Sequence, residues 1–185
     1  MAQNLLLISV DSPVLMGIYE NCNLVKSFSA EGKFSDVLPR LFAAVLDFGA
    51  DSADFHKVDC HADSANLLAM TENNNFAESN LDSGRICNIF YANGPGNFSA
   101  IKLTHIFLQT LSIVKNIPLF CADAFHFSNS EFINAYGKVH FYKKGSEIRT
   151  KTLSAKQQNH FFLPRVLDMS IFSDKCAPLY ILPAV

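Results

Sequence analysis

A mixed α/β fold is what this sequence predicts, from three observations. Residues 5–10, 14–19 and 24–30 are short apolar runs joined by polar turns, a meander of consecutive strands. A helical period follows in residues 35–48. A buried strand at 86–92, a second helix opened by Asn97 and a strand at 117–121 then complete the order βββαβαβ. A meander followed by two helical crossovers gives a mixed sheet with helices on its faces.

Residues 5–10 are apolar almost throughout, as a central strand requires, and Asp11-Ser12-Pro13 closes them with a turn. Glu20-Asn21-Cys22-Asn23 is a polar hairpin connection between the second and third strands. From Ser35 the period lengthens. Val37, Leu38, Leu41, Phe42, Val45, Leu46 and Phe48 recur at helical spacing and stop near Gly49. Ser35 reads as the N-cap, with the Asp36 carboxylate in the first turn and Pro39 early enough to be tolerated. The stripe is wider than one core face needs, which points to a second buried face.

Residues 50–85 are polar and read as an insertion with one short helical candidate at 65–71. Gly94-Pro95-Gly96 then forces a turn, and Asn97 is placed to cap the helix that follows. Phe98, Ile101, Ile106, Leu108 and Val114 make that helix apolar nearly all round, which predicts deep burial. Lys115 and Asn116 suit its C-terminus. Further on, residues 131–136 and 138–142 read as a hairpin around Gly137, and residues 179–182 as a closing strand. The expected division is a first lobe, 1–121, carrying the insertion, and a small second lobe, 122–185.

Of the 185 residues, 49% are hydrophobic and 17% charged, enough core for one domain or two small lobes. The net charge of −2 supplies no pull towards a polyanion, so tight nucleic-acid binding by this chain alone is not expected. Phe is abundant, at 17, and Trp is absent; most Phe belongs in the core, with some left for a partner surface. Cys22, Cys60, Cys87, Cys121 and Cys176 are well separated, with no C-x-x-C pair. They read as free thiols of a reducing compartment, neither a zinc ribbon nor a redox pair. The first apolar run is too short for a membrane span and has no basic stretch before it, so a cytoplasmic location is the expectation.

The run Gly94-Pro95-Gly96-Asn97-Phe98-Ser99-Ala100-Ile101-Lys102 resembles the G-P-G-S-F-T-G-L-R motif of the bacterial TsaB (YeaZ) family. The likeness continues through residues 111–119, similar to the family's helix end and G-I-P-L strand. Ile8-Ser9-Val10-Asp11-Ser12 resembles the opening I-D-T-S/A, and Ser35-Asp36-Val37-Leu38-Pro39 the H-S-x-x-L-L-P of the first helix. The chain also departs from the family. Ala100 and Lys102 replace its Gly and Arg, and Asn134-Ala135-Tyr136-Gly137-Lys138 stands where D-A-R-x-x-E is expected. It therefore resembles a divergent, shortened member.

This resemblance implies the actin-like ATPase (ribonuclease H-like) fold with a reduced second lobe. It implies a non-catalytic scaffold that pairs with the catalytic subunit TsaD, joined by the small ATPase TsaE. That complex transfers a threonylcarbamoyl group to the adenosine beside the anticodon of tRNA. The chain alone would bind no cofactor, ATP and Mg belonging to the complex, and would meet tRNA indirectly. The family pairs through first-lobe helices, which maps the interface onto Phe34, Ser35, Leu38, Leu41, Phe42, Val45, Phe98 and Ile101. The same helices offer a homodimer contact when the chain is isolated.

The enzymatic rival is a kinase or ATPase of the same fold. It needs an Asp followed closely by Gly so that backbone can approach phosphates, whereas Asp11 precedes Ser12 and Pro13. Gly94, Gly96, Asn97 and Lys102, with Asp11 and Ser12, form the candidate anion or nucleotide contact. Against it stands close packing of strand on helix, which also calls for glycine. His56 and Cys60 with His61 have ligand spacing but lack a fourth partner, so no metal is expected. No G-x-S-x-G elbow is present. His105 reads as a satisfied interior histidine, and Lys143-Lys144 as surface charges.

Overall fold

The computed structural model describes residues 2–46, 86–155 and 158–181. The expected insertion, Phe48, Gly49, the His56, Cys60 and His61 group and Leu182 lie outside them. The elements are β1 (Gln3–Ile8), β2 (Val14–Glu20), β3 (Asn23–Ala30), α1 (Phe34–Val45), β4 (Ile86–Ala92), α2 (Phe98–Lys115) and β5 (Leu119–Ala122). After them come β6 (Phe132–Tyr136), β7 (Val139–Lys144) and β8 (Glu147–Thr152).

Five strands form one sheet in the order β3-β2-β1-β4-β5. β2 runs antiparallel to β1 and β3, while β4 runs parallel to β1 and β5. That order with those directions is the ribonuclease H-like half of the actin-like fold, as expected. The β2–β3 turn has positive φ at Asn21 and Cys22, the combination that lets a two-residue loop match the strand twist.

Successive β1 side chains alternate between two cores, which explains why its sequence is apolar without interruption. Leu5 and Leu7 join Val37, Leu38, Leu41 and Phe42 of α1 and Leu108 and Leu111 of α2 on one face. Leu6 and Ile8 join Phe90, Phe127, Ile133, Phe141 and Leu167 on the other. The first face is thus covered by helices. The second is covered by the later part of the chain, whose regular structure is the antiparallel sheet β6-β7-β8. Phe42, with 0% exposure, contributes roughly 2–3 kcal/mol by its burial alone.

Four sequence readings change. α1 begins at Phe34, because the Lys33 carbonyl accepts from the amides of Asp36 and Val37. Ser35 is therefore inside the first turn, its hydroxyl donating to Asp36 Oδ1 at 3.0 Å, and caps nothing. Pro39 consequently sits beyond the first turn, with its ring exposed. α2 is only half buried. Residues 179–181 form no strand; Leu179 reaches Asn93 through a single amide–carbonyl bond of 2.9 Å, too little for a ladder. β8 was not expected, because Glu-Ile-Arg-Thr-Lys-Thr has little apolar character.

Candidate functional site

α2 starts where the Gly94-Pro95-Gly96 turn delivers the chain against the end of β1. The Asn97 amide donates to the Val10 carbonyl at 2.7 Å, and its Oδ1 accepts from the Ala100 amide at 3.2 Å. Ser9 and Thr104 share a buried hydroxyl–hydroxyl bond of 2.7 Å, which fixes the helix over β1. At the far end Asn116 takes the left-handed conformation and Ser112 Oγ donates to the Ile117 carbonyl at 2.6 Å. Both helix ends are therefore capped within the chain.

With its ends fixed, α2 turns Ala100, Ile101, Thr104, Leu108 and Leu111 inward. Its other half-circumference is just as apolar. Phe98, Leu103, Ile106, Ile113 and Val114 are 59, 44, 53, 78 and 70% exposed. Lys102 is the one exposed charged side chain along this face, which Ser99 and Thr110 otherwise interrupt. α1 behaves differently, presenting Ser35, Asp36, Pro39, Ala43 and Ala44 outward. An apolar strip broken by Lys102, Ser99 and Thr110 on one helix thus stands beside a helix with an ordinary outer face.

The eight expected interface residues divide. Leu38, Leu41, Phe42 and Ile101 are 2, 2, 0 and 4% exposed and belong to the chain's own core. Their wide stripe on α1 is filled from inside, partly by Phe107 of α2, whose ring lies 5.1 Å from that of Phe42. Phe34 and Val45 are half-buried, and Ser35 and Phe98 are exposed. Leu103, Ile106, Ile113 and Val114 carry the accessible apolar surface instead. Their signal was the excess of apolar residues around α2, misread as deep burial.

The candidate anion contact is used up by packing. A Cβ on Gly96 would sit 2.5 Å from the Val10 carbonyl oxygen, so only glycine lets helix and strand approach this closely. Gly94 has φ of +127° and faces the Leu179 carbonyl, which a Cβ would meet at 3.0 Å. Asp11 accepts from the Ser12 amide at 2.9 Å and from the Asn159 side chain. Asn159 Oδ1 in turn accepts from the Asn134 amide at 2.7 Å, tying β1's end to β6. Asp11 thus works as a tether, and Ser12 and Lys102 stand exposed. His105 shares a 2.9 Å hydrogen bond with the Tyr91 hydroxyl, and burial lowers its pKa. Lys143 pairs with Asp123 at 2.7 Å. Among the described residues no group of three metal-ligating side chains comes together.

Comparison with solved structures finds YeaZ from Pseudomonas aeruginosa at 14% identity, covering 83% of this chain and 65% of that one, with a TM-score of 0.46. It also finds an uncharacterized protein with similarity to peptidase YEAZ from Pseudomonas aeruginosa, at 14% identity, covering 91% and 70%, with a TM-score of 0.44. The chain spans just under two thirds of the first neighbour's length. No family model and no curated protein matches. The chain's own topology defines the class, an actin-like half with a small second part. Its own surface is the guide to what it does.

Proposed function

We propose that this chain is a non-catalytic docking subunit of the TsaB type, pairing through α2 with a TsaD-like catalytic subunit in the threonylcarbamoylation of tRNA. The observation that carries this is the outer face of α2, where Phe98, Leu103, Ile106, Ile113 and Val114 stand exposed with Lys102 as their charged neighbour. Leaving such a strip in water forgoes roughly 25 cal/mol for each Å² of apolar surface a partner could cover. The motif around Gly94–Lys102 points the same way. In this reading its glycines shape the turn that sets α2 against β1 rather than holding a nucleotide. ATP and Mg then belong to the assembled complex, a TsaE-like ATPase joins it, and contact with tRNA runs through the partner. No helix among the described residues is long and apolar enough to cross a membrane, and the cytoplasm remains the proposed compartment.

The test is co-purification and light scattering with the same organism's TsaD-like protein, with and without ATP. A defined heteromer is expected, weakened at least about tenfold by Ile106→Glu while the variant keeps the wild-type melting curve. A heteromer indifferent to Ile106→Glu would move the interface off α2. A homodimer that ignores the partner and is broken by Ile106→Glu would keep the docking face but replace the heteromer with self-pairing. ATP hydrolysis by the purified chain would replace the scaffold reading with the enzymatic one.

A further inference from the structure

Two cysteines far apart in sequence meet at the outer edge of the main sheet. Cys121 on β5 exchanges both backbone hydrogen bonds with Ser173, each 2.9 Å long. The chain then turns back, with the Lys175 amide on Ser173 Oγ at 3.1 Å and the Cys176 amide on the Asp174 carbonyl at 2.9 Å. This turn returns Cys176 over β5, its sulfur 3.3 Å from the Leu119 carbonyl. Cys121 Sγ in turn lies 3.8 Å from the Lys175 carbonyl, next to Cys176, so the turn brings two free thiols together on β5.

The surroundings treat the two sulfurs differently. Cys121 Sγ receives the Asn93 side-chain amide at 3.5 Å. The neighbouring Cys176 side chain, aided by the Ala177 amide, lowers the Cys121 pKa although burial opposes this. Cys176 shifts the opposite way, through the same contact with Cys121 and its own desolvation. One sulfur held towards thiolate beside one held as thiol is the arrangement in which a first oxidation is resolved by the neighbour.

We infer that Cys121 and Cys176 form a reversible, hydroperoxide-driven disulfide that staples residues 173–181 to β5. The Cys121 thiolate takes an oxygen from a hydroperoxide, breaking its O–O bond, and becomes a sulfenic acid while hydroxide or alkoxide leaves. Cys176 sulfur attacks that sulfenic sulfur. The S–S bond forms, the S–O bond breaks, and the departing hydroxide takes the Cys176 proton away as water. Both sulfurs are oxidised and the hydroperoxide is reduced; a small dithiol reverses the bond by exchange. The stapled stretch is the one that clamps the Gly94-Pro95-Gly96 turn, through Asn93 Nδ2 on the Ala177 carbonyl at 2.9 Å and Tyr180 against Phe98 at 4.8 Å between ring centroids. The staple stands whether or not α2 docks a partner.

The experiment exposes the full chain to stoichiometric hydrogen peroxide, blocks remaining thiols with N-ethylmaleimide, and maps peptides by mass without reduction. A linked peptide pair containing Cys121 and Cys176, lighter by two hydrogens and separated by dithiothreitol, is expected. Cleavage of residues 173–181 by added protease should slow on the order of tenfold after oxidation. In Cys176→Ser the unresolved sulfenic acid should be trapped on Cys121 by dimedone. Linkage of Cys121 to another cysteine, or unmodified Cys121 and Cys176 after peroxide, overturns the inference. So does a folded Cys176→Ser variant in which dimedone labels nothing at Cys121. Should Cys176→Ser fail to fold, the wild-type peptide map decides.

Discussion

α1 and α2 lie on the same face of the same sheet and do the same inward work, yet their outward faces are opposites. α1 offers Ser35, Asp36, Pro39, Ala43 and Ala44 to solvent, whereas α2 offers Phe98, Leu103, Ile106, Ile113 and Val114. Inner faces are dictated by the sheet they cover, so both carry Leu, Ile, Val and Phe. Outer faces are under no such demand from the fold. The apolar outer face of α2 is therefore the feature on which the proposed docking rests. α1 is amphipathic, whereas α2 is apolar on both faces.

The largest effect that tests this contrast is a charge inside α1. Leu38→Glu, at a position 2% exposed, should cost more than about 4 kcal/mol in urea unfolding, while Ile113→Glu on the outer face of α2 should stay within about 0.5 kcal/mol. Equal losses at both sites would mean that α2 has no free face. A smaller effect separates the helix starts. Asn97→Ala removes the side chain that accepts the Ala100 amide and should lose about 1 kcal/mol, whereas Ser35→Ala, which caps nothing, should stay within about 0.5 kcal/mol.

The smallest expected effect is the pH dependence carried by His105 on the flank of α2. Burial lowers its pKa in the folded chain, so the unfolded chain takes up the proton first as pH falls. Its contribution to stability is complete above the ordinary histidine value of about 6.5 and declines as pH drops from there towards the lowered folded value. His105→Gln should flatten that part of a stability-against-pH curve. An unchanged slope would assign the dependence to other groups.

Much of this was legible in the residues. β4 falls at Ile86–Ala92 as read, because a seven-residue apolar strand between polar stretches has no competing period. The Asn97 cap was legible because Gly-Pro-Gly left the helix one place to begin. Ser35 misled because serine before an acidic residue has the composition of a cap, while the true boundary was set by the Lys33 carbonyl. β8 was illegible because an edge strand exposed on both sides has no need of an apolar face. The interface residues on α1 misled for a different reason. A wide stripe can be filled by a neighbouring helix of the same chain, and here Phe107 fills it. Nothing local could announce that Cys121 and Cys176 meet, since only the turn after Ser173 brings them together.

The two-way bond between Cys121 and Ser173 has one more consequence. β5 is the last strand of the main sheet, and a bare terminal strand is a template on which another chain can extend the ladder. Ser173 occupies Cys121's outward amide and carbonyl, at the middle of this four-residue strand. The stretch that follows β8 therefore acts as an edge guard. Cutting the chain before Ser173 would turn a closed sheet into a polymerising one, with turbidity rather than a lowered melting point as its first sign.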